Sequence, residues 1–149
     1  MKQQFLNIFG PCGLLCEKCF AYDHGPIHYH AQQLQIHLGS FDVYAQRFEK
    51  LLNKPVFKNY PEFKEFLNFL ASDNCKGCRN DCCKLFINCK VKECYKKKKI
   101  DFCFQCSDFP CAQTGFDNNL QERWLKINER IKEIGIENYY HEIKDKPRY

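Results

Sequence analysis

Hydrophobic residues recur at helical spacing in two stretches of the chain, and the rhythm is lost elsewhere. Ile27, Ala31, Leu34 and Leu38 form one stripe behind Pro26, a residue suited to a first helical turn, and Gly39 stops it. Ser40 stands where an N-cap is wanted, and Phe41, Tyr44, Ala45, Phe48, Leu51 and Leu52 share the next face. Asn59 and Pro61 open a third helix, with Phe63, Phe66, Leu67 and Leu70 on one side. Three amphipathic helices in succession are expected to bury their stripes against one another, so residues 26–72 read as a helical insert that forms a small bundle. Towards the end of the chain, Leu120, Trp124, Ile127, Ile131 and Ile134 alternate spacings of four and three. That helix can start at Asp117 or Asn118 and end at Gly135, with Lys132 placed to suit the helix dipole. A shorter helix over Glu137–Lys144 precedes Pro147. The longer seam spans about two heptads, and packing on the bundle is expected rather than pairing with another chain. Strand signals are poor, with at most a short hairpin around residues 100–106.

Cysteine usage changes the picture of what lies between these helices. The 149 residues fit one domain, 1–149, yet 12 of them are cysteine. Cys12, Cys16 and Cys19 mark a ligand segment, 12–19. The other nine fall between Cys75 and Cys111, a metal lobe spanning 75–111, and the helical tail, 117–145, has none. Disulfides join distant elements in secreted chains, whereas a metal needs thiolates presented together by tight turns. The clusters are tight, and the opening residues Met1 to Asn7 lack the apolar stretch of an export signal. A cytoplasmic, zinc-binding chain is therefore expected. No run of 18 apolar residues is present, so no membrane span is expected. The formal net charge is +5. Each four-thiolate zinc site carries −2, and three of them would bring the folded protein to about −1. The apparent basicity is thus weak support for nucleic-acid binding.

The most specific pattern is Cys75-Lys-Gly-Cys78 together with Cys103-Phe-Gln-Cys106. A Cys-x-x-Cys turn aims two thiolates at one tetrahedral ion, and Gly77 permits the left-handed backbone such a knuckle often needs. Cys82, Cys83, Cys89, Cys94 and Cys111 supply further ligands, although adjacent cysteines such as Cys82 and Cys83 seldom both reach one ion. The group Cys12, Cys16 and Cys19 has three thiolates and needs a fourth ligand. A downstream cysteine can close it, and twelve cysteines suffice for three four-thiolate sites. A local alternative is His24 or His28, in a Cys-x2-Cys-x4-His-x3-His series. Cys12-x3-Cys16-x2-Cys19 also matches the cluster motif of radical S-adenosylmethionine enzymes, but without the repeated strand–helix units that carry it. His30 and His37 flank Leu34 on one helical face and read as packing residues. Lys96 to Lys99 read as a solvated face that offsets thiolate charge, with a phosphate-contacting patch as the sharper alternative. No Ser/His/Asp order, glycine-rich phosphate loop or carboxylate pair accompanies the cysteines, and no catalytic residue is assigned.

The ordered motifs resemble a bacterial and archaeal family catalogued as domain of unknown function 3795. The resemblance is carried by Cys-Gly-Leu-x-Cys-x-x-Cys at Cys12–Cys19, Cys-x-Gly-Cys at Cys75–Cys78 and Cys89-x4-Cys94. It continues through Cys103-x-x-Cys106, Phe109-Pro110-Cys111, Arg123-Trp124, Gly135 and Lys146-Pro147-Arg148. His24 and His28 are outside that pattern, and the Cys82–Cys83 pair is unusual for it. What the resemblance implies is a zinc-binding protein without an assigned activity. The expected fold class is mainly α, a small helical bundle with an irregular, loop-rich zinc-binding lobe holding two or three Zn2+ ions. The first functional class is a structural zinc protein acting as an interaction or binding module, with a protein partner. The second is an iron–sulfur or thiol redox enzyme, and the third a nucleic-acid-binding zinc protein.

Overall fold

The computed structural model describes residues 3–72, 74–80, 83 and 88–149. The expectation that Cys82 is a ligand lies outside the described residues. Among those described, seven α-helices and four short 3-10 turns account for the regular structure, and there is no β-strand. The fold is mainly α, as the periodicity predicts. No helix is long and apolar enough to cross a membrane among the described residues.

The insert forms helices α2 (Pro26–Leu38), α3 (Phe41–Leu51) and α4 (Tyr60–Ser72), close to the predicted limits. Pro26 occupies the first turn of α2, as expected. Ser40 stands at the N-cap of α3, but its hydroxyl makes no capping bond. A 3-10 turn over Pro55–Asn59 leads into α4. Helices α2 and α4 pack through Ala31, Leu67 and Ala71, flanked by Leu38 and Leu70. His28 Nδ1 lies 3.2 Å from Leu70 O, and Gln32 Nε2 donates to Ala71 O at 3.3 Å. Burial of the three stripes is partial. Ala31, Ala45 and Leu67 are buried, whereas Leu34, Tyr44, Leu51, Leu52, Phe63 and Phe66 are exposed.

The insert leaves and rejoins the rest of the molecule at one point. Tyr22 and Cys75 form a parallel bridge, with Asp23 N donating to Cys75 O at 3.1 Å and Cys75 N to Ala21 O at 3.0 Å. Residues 23–74 are thus a closed excursion from a cysteine-rich body.

The body joins helices α1 (Gln3–Ile8), α5 (Val91–Lys98), α6 (Asn118–Ile134) and α7 (Ile136–Ile143). Asp117 caps α6 by accepting from Leu120 N at 3.0 Å, and Gly135 separates α6 from α7. The seam of α6 does not pack on the insert, contrary to expectation. Ile131 packs with Phe5, Phe9, Phe102, Ile136 and Tyr139, and Trp124 packs with Leu14, Val91 and Phe109. Helices α1 and α5 had no signal in the sequence. Six residues of α1 are too few to display a period, and α5 buries only Val91 beneath a run of lysines. The short hairpin expected around residues 100–106 is replaced by a 3-10 turn over Cys103–Gln105. Gln105 Oε1 accepts from both Asp101 N and Phe102 N at 2.9 Å, which holds this stretch as a turn.

Candidate metal centre

Two Cys-x-x-Cys segments have the same backbone. In Cys16–Cys19 and Cys103–Cys106 the first three residues form a 3-10 turn closed by the second cysteine's N–H, at 2.8 and 3.0 Å. The second cysteines then turn extended, at φ −70, ψ 138 and φ −71, ψ 138. An aromatic residue three positions on, Tyr22 or Phe109, donates its N–H back to that cysteine's carbonyl at 3.1 Å. Each knuckle follows a buried hydrophobe, Leu15 or Phe102. Side chains on the inside of such a turn point the same way, which is what a shared ion requires. Gly77, in the third knuckle, has φ +88, as the left-handed requirement predicts.

The Tyr22–Cys75 bridge sets the first knuckle against the third. Cys19 and Cys75 are buried together beside Ala21, and the Cys78 thiol is in side-chain hydrogen-bonding contact with Cys16 and with Cys83. This first group, Cys16, Cys19, Cys75 and Cys78, surrounds a space of about 30 Å³ that Cys12, Cys83 and Cys89 also reach. Arg79 locks the arrangement. Its Nε donates to Phe9 O at 3.1 Å, and its guanidinium lies 4.9 Å from the Phe102 ring and 5.3 Å from the Tyr95 ring. The C-terminus closes over the same knuckle. Lys18 Nζ donates to Lys146 O at 2.6 Å, Arg148 donates to Leu15 O, and Tyr149 Oη lies 3.8 Å from Cys19 Sγ.

A second group, Cys94, Cys103, Cys106 and Cys111, lines an open cavity of about 780 Å³ with Cys89. Trp124 forms part of its wall. Its indole Nε1 is buried without a hydrogen-bond partner, and its nearness to Cys103 favours that thiol's anion. Asn128, fully buried on α6, joins the two groups: its Nδ2 donates to Cys12 O at 2.8 Å and its Oδ1 accepts from Phe104 N at 3.1 Å.

The thiols oppose one another's ionisation. Burial pushes Cys103 up to about 11, and Cys111, Cys94 and Cys106 add to that, against the Trp124 N–H. Burial also raises Cys12, reinforced by Cys16, Cys103 and Cys89. The bond shared with Cys16, then that with Cys83 and then burial, raise Cys78. Cys16 is lowered to about 7 because Cys78 donates to it, with help from the charge of Arg148. A cation among such thiols would favour the anions of those that burial raises.

All eleven described cysteines are free thiols. Among the described residues, no three Cys, His, Asp or Glu side chains converge as a ready coordination shell. The donor chemistry alone, soft thiols in pairs on tight turns, is of the kind zinc takes. The histidines stay apart. His28 is engaged with Leu70 inside the insert, and His24 is exposed, 3.6 Å from Asp23. His30 and His37 lie on the exposed side of α2. Of the four lysines at the end of α5, Lys97 pairs with Glu93 at 3.6 Å and Lys98 with Asp108 at 2.5 Å.

A family model described as Protein of unknown function (DUF3795) matches residues 8–116. The chain belongs to that family. No curated protein and no solved structure matches it. The DUF3795 match takes in every cysteine but stops short of Trp124, Asn128 and Arg148, which complete the surroundings of both groups. Reading the sequence missed Arg79, Asn128 and Arg148 as parts of this centre. Asn128 carried a signal: it is a polar residue on the apolar seam, four after Trp124 and three before Ile131.

Proposed function

We propose that this DUF3795 chain is a structural zinc-binding protein whose metal ties the ligand segment to the lobe and presents the insert as an interaction module. The observation that carries this reading is the opposition of the Cys16–Cys19 and Cys75–Cys78 knuckles across the Tyr22–Cys75 bridge. Bound there, zinc would supply a tetrahedral cross-link and neutralise crowded thiolates. The residues of this chain do the rest. Arg79 and Asn128 fix the backbone beside the cysteines, and the Arg148–Tyr149 end excludes water from the first group. A four-thiolate site leaves no open position for a substrate water, which suits structure rather than hydrolysis. The interaction role rests on the insert, which holds every exposed large hydrophobe found among the described residues except Tyr149.

Metal analysis of reduced, freshly purified protein tests the reading. Two or three zinc ions per chain are expected. Iron with acid-labile sulfide would move the centre to the iron–sulfur class, and a metal-free chain with paired cysteines would end the proposal.

A further inference from the structure

We propose that the cleft between α6, α7 and the segment 146–148 is a binding site for a small phosphate-bearing ligand. The cleft encloses about 130 Å³, room for several waters, and its lining includes the cations Lys18, Arg123, Lys146 and Arg148. Lys18 Nζ donates to two main-chain carbonyls, Ile143 O at 3.2 Å and Lys146 O at 2.6 Å. Arg123 donates to Arg148 O at 3.1 Å, and Arg148 donates to Leu15 O. Carbonyls accept these hydrogen bonds without cancelling charge. Among the described residues, none of the four cations pairs with a carboxylate side chain. Glu142, whose carboxyl feels Lys146, is bonded to Arg130, and Glu17 and Asp145 act on Tyr140.

Arg148 supplies a second, independent observation. Its Nε is buried and has no hydrogen-bond partner, and the residue lines both this cleft and the enclosed space of the first thiol group. A buried donor on a charged group is costly to leave unpaired. A planar guanidinium with free N–H groups matches the oxygens of a phosphate. Arg123 and Lys146 are exposed and draw a dianion inward, while Leu14, Ile127 and Ile143 give a short carbon chain an apolar wall. So many unpaired cations suit a dianionic phosphate better than a singly charged carboxylate. The site uses no thiol and no metal, so it stands or falls separately from the zinc reading.

Equilibrium dialysis of the full chain under reducing conditions tests it, with labelled inorganic phosphate as the probe and glycerol 3-phosphate or acetate as competitor. Saturable binding at one site per chain is expected, weakening as salt is added, with acetate at least about tenfold the poorer competitor. Lys146→Ala removes an ammonium that makes no bond among the described residues. It should weaken phosphate several-fold and leave thermal unfolding without phosphate unchanged. Arg148→Lys keeps the charge but loses the fork, and should weaken phosphate about tenfold. Stronger competition by glycerol 3-phosphate than by unlabelled phosphate would assign the site to small phosphomonoesters, and equal competition would assign it to free phosphate. Absence of saturable binding, acetate competing as well as phosphate, or unchanged affinity in both variants would overturn the proposal.

Discussion

The insert and the cysteine-rich body bury their apolar residues in opposite ways. In the body, Trp124, Phe9, Phe102 and Ile131 are at most 1% exposed, and α6 packs there against irregular cysteine-bearing segments. In the insert, regular helices bury mainly alanines and Leu67, while bulky side chains such as Phe66, Ile36 and Leu51 face outward. Helices satisfy their own backbone groups, so the insert can be thin and still leave few polar atoms stranded. The body lacks that economy. Its backbone is held by side chains reaching across the sequence: Arg79 to Phe9 and Asp101, Asn128 to Cys12 and Phe104, Lys18 to Ile143 and Lys146. Cysteines stand where another fold would place more core. The body therefore depends on its cross-links, and the insert depends on the body for its closed ends.

On the proposed zinc reading, removing metal is the largest perturbation of that contrast, since a structural zinc site contributes on the order of 10 kcal/mol, comparable with the whole stability of a domain this size. Exhaustive chelation under reducing conditions should abolish the near-ultraviolet dichroism of Trp124. It should also remove most helical signal, because the Tyr22–Cys75 closure of the insert sits among the first group of thiols. Native dichroism that survives chelation would show that the body stands on apolar packing alone.

Asn128→Ala probes the body's other device at lower cost. The substitution leaves Phe104 N–H and Cys12 C=O buried without their partner, a loss of about 3 kcal/mol. Urea unfolding of the zinc-loaded protein measures it. A loss below about 1 kcal/mol would mean that water or a neighbour replaces the amide.

The insert was the more legible half of the molecule. Its helices and the α6 seam follow from period 3.6 alone, and Asp117, Pro26 and Gly135 mark their ends. In the body, each Cys-x-x-Cys turn was readable because its geometry is local. Which turns face each other was not, since that is decided by a bridge between Tyr22 and Cys75, separated by the whole insert. The partners of the cysteines were hidden for the same reason. Trp124 reads as an ordinary seam residue until Phe109 and Cys103 are brought beneath it. Packing of α6 on the lobe rather than the insert follows from α1, which is too short to announce itself.

The mildest perturbation addresses the insert's exposed face. Phe66 and Leu67 are neighbours on α4, yet Phe66 is 60% exposed and Leu67 5%. Leu67→Gln puts an amide between α2 and α4 and should cost about 3 kcal/mol. Phe66→Gln should change stability by no more than about 0.5 kcal/mol, since its ring covers little that water does not already reach. Thermal unfolding of the two variants, followed at several protein concentrations, separates them. Should Phe66→Gln prove as costly as Leu67→Gln, with a cost that grows with concentration, a second copy of the chain covers that face in solution. The insert would then be as fully buried as the body, and the contrast between the two would be a property of the monomer alone.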